Sequence, residues 1–331
     1  MNIKKPYLLF LGDSEFAKTA QGICHWRGQD CVAQFRLEGC QVDLGLPEVS
    51  MQEAAERGAK TLVIGVAPHG GLLKESWLPH LKAALEAGMD IAAGLHTKIA
   101  DIDMLQTAAN IHGRQIWDIR HPKETFAVGD GDKRSGKRLL AVGTDCNVGK
   151  MFTTLAIEQE MHKRGMDATF RATGQTGIFI AGKGAAVDAV ISDFISGAAE
   201  SLSPDNHEQH WDLIEGQGSL HNPSYAGVSL GLLHGSQPDA IVLCHDPLRK
   251  HIVDLENYPI PPLQDAIDTA LRAARLTNPN VQCVGVCVNT SKMTEGQAQE
   301  LITSIGLEVG LPCVDPIRTG VGVIVDKLAT L

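Results

Sequence analysis

The chain has 331 residues, of which 44% are hydrophobic and 21% charged, with a formal net charge of −10. That length is enough for two domains, each with its own core. The acidic balance, with no basic stripe and no interleaving of aromatic and basic residues, argues against nucleic acid and anionic membrane surfaces as partners. No apolar run approaches the ~20 residues that span a bilayer.

The opening "MNIKKPYLLFLGDSEF" sets two lysines before an apolar run, as a signal peptide would. The run is short and ends at Gly12 and Asp13, so it reads as a first β-strand. Then come "FAKTAQGICHW", "DCVAQFRLEGC", a helix at "MQEAAERGA", a buried strand at "TLVIGVAPHGG" and a helix at "ESWLPHLKAALEAG". A strand "DIAAGLH", a helix "MLQTAANIHG" and a short strand "IWDIR" complete the first half. Strands alternating with helices imply βαβ units and a parallel sheet. The polar, glycine-rich "HPKETFAVGDGDKRSG" has no periodicity and reads as linker, with residues 126–136 at its heart. The expected domains are therefore 1–125 and 137–331.

The second half opens with "KRLLAVGTDCNVGK", a strand and a loop, followed by the helix "MFTTLAIEQEMHKRG". Further strands are expected at "MDATFRATGQTG", "HWDLIEGQGS", "PDAIVLCHDP" and "VQCVGVCVNTS". The eight cysteines form no C-x-x-C pair. They read as structural thiols of a cytoplasmic protein in a reducing compartment.

The chemistry concentrates in "AVGTDCNVGKMFTT". Gly143 and Gly149 enclose five residues before Lys150, one more than in the common phosphate-binding loop. Its backbone N–H groups, the following helix dipole and the Lys150 ammonium all favour an anion. Met151 stands where a nucleotide hydrolase places the hydroxyl that holds magnesium. A thioether is a poor ligand for a hard cation, so the loop should grip a pyrophosphate without a metal, as coenzyme A would offer. Thr153 and Thr154 lie further along the helix and face other directions. The first half lacks G-x-G-x-x-G, which argues against a nicotinamide cofactor there.

The spacing "GTDCNVGKM", followed in order by "FRATGQTG" and "LIEGQGS", resembles the dethiobiotin synthetase-like P-loop proteins. The whole chain is more closely similar to the DgcN family. The stretches that carry this likeness include "KTAQGI", "DLGLPE", "FRATGQTGIFIAG", "WDLIEGQGSL" and "PSYAGVSLGLLHGSQPDA". The resemblance implies an α/β chain with an N-terminal Rossmann-like domain and a C-terminal P-loop domain of mostly parallel sheet. The implied activity is N-acetylation of D-glutamate by acetyl-coenzyme A, in a protein expected to form a homo-oligomer. Two alternatives stay open: an ATP-dependent ligase or kinase, which needs magnesium, and a nucleotide- or coenzyme-binding sensor without turnover.

On this reading Gly143, Thr144, Asn147, Val148, Gly149 and Lys150 hold the pyrophosphate, with Met151 and Phe152 beside it. Glu215, at the end of a strand, and Asp145, in the loop, are candidate general bases, with Lys150 as a further catalytic group. Arg171, Thr173 and Gln175 are candidates for the substrate carboxylates, with Lys18 and Arg36 of the first domain behind them. Cys146, near a helix start and beside Lys150, is placed where a thiol pKa falls, so an acetyl-enzyme is conceivable. Among the histidines of the second half, His221 is kept as a possible base. His207 and His210 in "HEQH" read as solvated loop residues, and no metal site is expected.

Overall fold

The computed structural model describes residues 3–66, 72–121 and 125–331. The end of the expected "TLVIGVAPHGG" strand, from Ala67 to Gly71, and linker residues 122–124 lie outside them. The chain divides into two compact units. Unit 1 comprises Met1–Glu124 and Gly174–Ala189; unit 2 comprises Thr125–Thr173 and Val190–Leu331.

Unit 1 runs β1 (Tyr7–Gly12), α1 (Lys18–Arg27), β2 (Cys31–Arg36), α2 (Met51–Glu56), β3 (Thr61–Ile64), α3 (Leu78–Glu86), β4 (Asp90–Ala93), α4 (Asp103–His112) and β5 (Ile116–Asp118). The five strands form one parallel sheet in the order β2-β1-β3-β4-β5. All six residues of β1 are buried, as an unbroken apolar run requires when both faces of a parallel sheet are covered. A capping box of Ser50 and Glu53 starts α2. Gly113, at φ 62°, ends α4 in the left-handed conformation that favours glycine. The order of the strands reverses beside β1, and there the turn is filled. A Cβ on Gly12 would meet the Trp77 ring at 2.6 Å. Trp77 is fully buried and donates from Nε1 to Asp13 at 2.9 Å, while Lys74 pairs with the same carboxylate at 2.8 Å.

Unit 2 begins with irregular chain from Thr125 to Gly136, which is tied to its own unit. Glu200 accepts from the N–H groups of Asp130 and Gly131, and Arg134 donates to the carbonyls of Ser203 and Gly235. There follow β6 (Lys137–Gly143), α5 (Lys150–Lys163) and β7 (Ala168–Arg171). The chain then contributes α6 (Gln175–Ala181) to unit 1, a crossing that the order of elements in the sequence does not reveal. Within unit 1, the Tyr7 hydroxyl donates to the Phe179 carbonyl and Thr176 bonds to Thr19.

Unit 2 resumes with α7 (Ile195–Leu202), β8 (Trp211–Ile214), α8 (Ala226–Ser236), β9 (Ala240–His245) and a hairpin of β10 (His251–Ile252) and β11 (Leu255–Pro259). It closes with α9 (Leu263–Ala274), β12 (Gln282–Val288), α10 (Glu295–Val309), β13 (Cys313–Val314) and α11 (Gly322–Leu328). Its main sheet is parallel throughout, in the order β13-β12-β9-β6-β8-β7. Leu243, Val286 and Val288 of the sheet pack with Ile267, Ile302 and Ile305 into one apolar core. β6 sits in the middle: from it the chain goes to the edge at β7, returns to insert β8, and then crosses to β9 on the other side. Open α/β sheets bind ligands at the carboxyl ends of the strands flanking such a reversal.

Candidate active site

The loop at the carboxyl end of β6 is a cradle made by backbone conformation. Asn147 and Gly149 both have positive φ, 55° and 98°, and curl the chain between them. A Cβ on Gly143 would come within 2.8 Å of Val148 and 3.1 Å of the Lys150 Nζ, so the strand can turn here only as glycine. The first turn of α5 leaves its leading N–H groups without carbonyls four residues back, and they face the loop. Lys150 is buried, and its Nζ donates to the Asp145 carbonyl at 2.8 Å. Burial pushes its pKa down, against the opposing pull of Cys244, Cys146, Asp145 and Glu215. A bound anion would add countercharge beside this buried amine.

Met151 and Phe152 are half-buried at the start of α5. Thr153 and Thr154 turn inward: Cys244 donates to the first hydroxyl, and the second donates to the Lys150 carbonyl at 2.8 Å. Neither hydroxyl stands in for the one that Met151 replaces. On the flanking strands, Glu215 follows β8 and His245 ends β9. Glu215 is buried; its Oε2 accepts from the Thr173 N–H at 2.9 Å, and its carbonyl accepts from the Thr173 hydroxyl at 2.6 Å. Gln217 donates to that hydroxyl in turn. Gly216 lets this turn press on β6, because a Cβ there would fall 1.6 Å from the Ala141 carbonyl oxygen. His245 Nδ1 lies 3.0 Å from the Thr144 hydroxyl. Burial lowers its pKa, so the ring is neutral near pH 7.

The structure corrects several expectations. Asp145 is not a base waiting for a proton. It is fully buried and accepts from Val253 N–H and Arg249 at 2.7 Å each and from Asn222 at 3.0 Å. Burial alone would raise its pKa, but these bonds outweigh it and hold the carboxyl below its usual range. Asp145 anchors the loop. Cys146 is likewise not an activated thiol: burial pushes its pKa up, more than Lys150 and Arg249 pull it down. Arg171 donates from Nε to the buried Asp212 at 2.6 Å, an ion pair between β7 and β8. Thr173 positions Glu215 rather than reaching outward.

Gln175 belongs to α6 in unit 1, where its side chain packs against Gly94. Arg36 pairs with Glu48 and Asp43 in the same unit. Lys18 is exposed at the start of α1. His221 Nε2 is buried without a partner among the described residues, and the residue lines, with Gly143, Ser219 and Leu233, a small cavity of about 20 Å³, room for little more than one water. Burial lowers its pKa as well.

Three residues that touch the loop escaped the sequence reading or were under-weighted in it. Arg249 donates to both the Asp145 carboxylate and the Cys146 carbonyl, Asn222 holds Asp145 from the other side, and His245 meets Thr144. A faint signal existed for two of them, since "CHDPLRK" follows a buried strand at the same sheet edge as the loop.

Comparison with known proteins agrees with this architecture. A P-loop domain of unknown function, DUF1611_C, matches residues 125–325, and a Rossmann-like domain of unknown function, DUF1611_N, matches residues 35–122. Two similar curated proteins are named D-glutamate N-acetyltransferase. The one from a Pseudoalteromonas species is 52% identical, covering 99% of this chain and all of its own length. The one from Tritonibacter scottomollicae is 50% identical with the same coverage. The crystal structure of a DUF1611 family protein from Anabaena variabilis superposes with a TM-score of 0.87 at 34% identity, over 99% of this chain and all of that one.

Proposed function

The chain belongs to the DUF1611 family, and on that premise we propose that it transfers an acetyl group from acetyl-coenzyme A to the amino group of D-glutamate. The observation that carries the proposal is full-length identity of about half to two proteins named for that reaction. The geometry of unit 2 supports the donor. A cradle with a buried lysine and a thioether in the magnesium-ligand position suits the pyrophosphate of a coenzyme that needs no metal.

In this reading Gly143, Thr144, Asn147, Val148, Gly149 and Lys150 hold the pyrophosphate, and Met151 and Phe152 line its approach. The substrate ammonium, with a pKa near that of lysine (~10), must lose a proton before its nitrogen can attack. Glu215 is the acceptor at the crest of the sheet, locked in orientation by Thr173. Its neighbour across the loop, Asp145, is held by three donors and keeps the cradle in shape. The amine nitrogen then adds to the thioester carbonyl, giving a tetrahedral oxyanion. Collapse breaks the C–S bond and releases coenzyme A. Transfer is direct, because the Cys146 thiol is raised and the thioester is already activated.

The test is product formation followed by mass spectrometry, with acetyl-coenzyme A and D-glutamate, L-glutamate or neither, in excess chelator. N-Acetyl-D-glutamate formed only in the first arm is the expected result. No product with either enantiomer, together with magnesium-dependent binding of ATP, would replace this reading by a ligase or kinase.

A further inference from the structure

At the opposite edge of the same sheet, Asp167, His207 and His210 bring one ligand atom each within 4.8 Å of one another. The backbone fixes two of them at the strand starts: the Asp167 carbonyl accepts from Trp211 N–H, and the His210 carbonyl accepts from Lys137 N–H. A turn closed by His210 N–H and the His207 carbonyl, at 3.0 Å, brings the two rings to a centroid separation of 5.6 Å. His207 Nε2 lies 2.6 Å and His210 Nδ1 3.0 Å from the same oxygen, Asp167 Oδ2.

His210 is buried, and its other nitrogen, Nε2, faces Asp212 Oδ1 at 3.2 Å. Asp212 is 2% exposed and accepts from Arg171 Nε at 2.6 Å. Both ring nitrogens of His210 thus face carboxylate oxygens, one at the exposed Asp167 with His207 beside it and the other at a buried, arginine-paired aspartate. A metal-bound histidine whose second nitrogen donates to a buried carboxylate is the arrangement that orients imidazole ligands in metal sites.

We propose that Asp167, His207 and His210 form a binding site for a first-row transition-metal ion of the zinc type, with Asp212 and Arg171 as its outer support. Two imidazole nitrogens and one carboxylate oxygen suit zinc, nickel or copper better than magnesium or calcium. Water completes the tetrahedron. Zinc–ligand bonds of about 2.0–2.1 Å at tetrahedral angles set the ligand atoms roughly 3.3 Å apart, so His207 must draw back from Asp167 by about 0.7 Å. Both side chains are more than half exposed and free to do so. Glu215 lies five residues beyond His210, roughly 16 Å along extended chain, so the ion takes no part in acetyl transfer. It pins the 207–210 turn to the start of β7.

The site is tested by titrating the chelator-treated full chain with zinc and with cobalt, whose visible bands report four-coordination. The wild-type chain should bind one equivalent with a four-coordinate cobalt spectrum, and zinc should raise its thermal midpoint by several degrees. His207→Ala and Asp167→Asn, both at exposed positions that leave folding intact, should weaken that binding by about tenfold or more and abolish the midpoint shift. Acetyl transfer by His207→Ala should be unchanged, which separates this test from that of the proposed reaction. No stoichiometric binding by the wild-type chain, or equal binding by the variants through the eight cysteines, would overturn the proposal.

Discussion

The two parallel sheets of this chain end their first strands differently. In unit 1, β1 turns at Gly12 and the space above the turn is occupied by Trp77, with Asp13 paired to Lys74 and to the indole nitrogen. In unit 2, β6 turns at Gly143 into a loop whose backbone curls around a buried ammonium. Both turns need a glycine, and for opposite reasons. One admits an indole that seals the crest; the other lets Val148 and Lys150 fold back and leaves a cradle for an anion. The same doubly wound plan thus gives a filled crest in one case and, on the proposed reading, a binding site in the other. What decides is the few residues beyond the strand end.

This contrast can be broken from either side. The largest effect is expected at the crest of unit 2. Glu215→Gln keeps the side-chain shape but removes the proton acceptor, and should lower kcat by about 10²–10⁴-fold while leaving acetyl-coenzyme A binding intact. Full activity of that variant, measured by product mass spectrometry, would remove Glu215 from the role of base.

On the sealed side, Trp77→Ala should cost about 3–5 kcal/mol of stability, because it empties a fully buried indole site and strips Asp13 of a donor. Amide exchange in β1 should accelerate, whereas exchange around Gly143–Lys150 should not. Equal acceleration in both would mean that the crests are not separately built.

Asp145→Asn gives a smaller and pH-dependent effect, about 1–3 kcal/mol at pH 7. The folded carboxyl lies below its usual range. Its contribution is therefore complete above the ordinary aspartate pKa of ~3.9 and disappears as pH falls through the depressed folded value. The stability gap between wild type and variant, followed by urea unfolding, should close on the acid side. A gap independent of pH would show that Asp145 acts through shape and not through charge.

What could be read from the sequence follows the distance over which each feature is made. The cradle was legible because Gly143, Gly149 and Lys150 are neighbours in the chain and their roles follow from local backbone geometry. The alternation of strands and helices was legible for the same reason. The anchoring of Asp145 was not, since its partners Asn222, Arg249 and Val253 are 77, 104 and 108 residues away. Arg171 looked available until Asp212, 41 residues on, was seen beside it. For Cys146 the local signal, a helix start and a lysine, points the wrong way, because burial depends on tertiary packing and outweighs both. The transfer of α6 to unit 1 has no trace in local pattern at all. His207 and His210 read as solvated because neither Asp167 nor Asp212 is their neighbour on a helix.

On the proposed reading the unit 2 cradle holds the pyrophosphate of coenzyme A without a metal. Isothermal titration of acetyl-coenzyme A, in chelator and again with magnesium, tests it most directly when run on wild type and on Lys150→Ala. The expected result is binding that magnesium leaves unchanged and that the variant weakens by about tenfold or more, in line with the loss of a charge-assisted contact of about 1.5–3 kcal/mol. Binding that requires magnesium, or that Lys150→Ala does not alter, would contradict it.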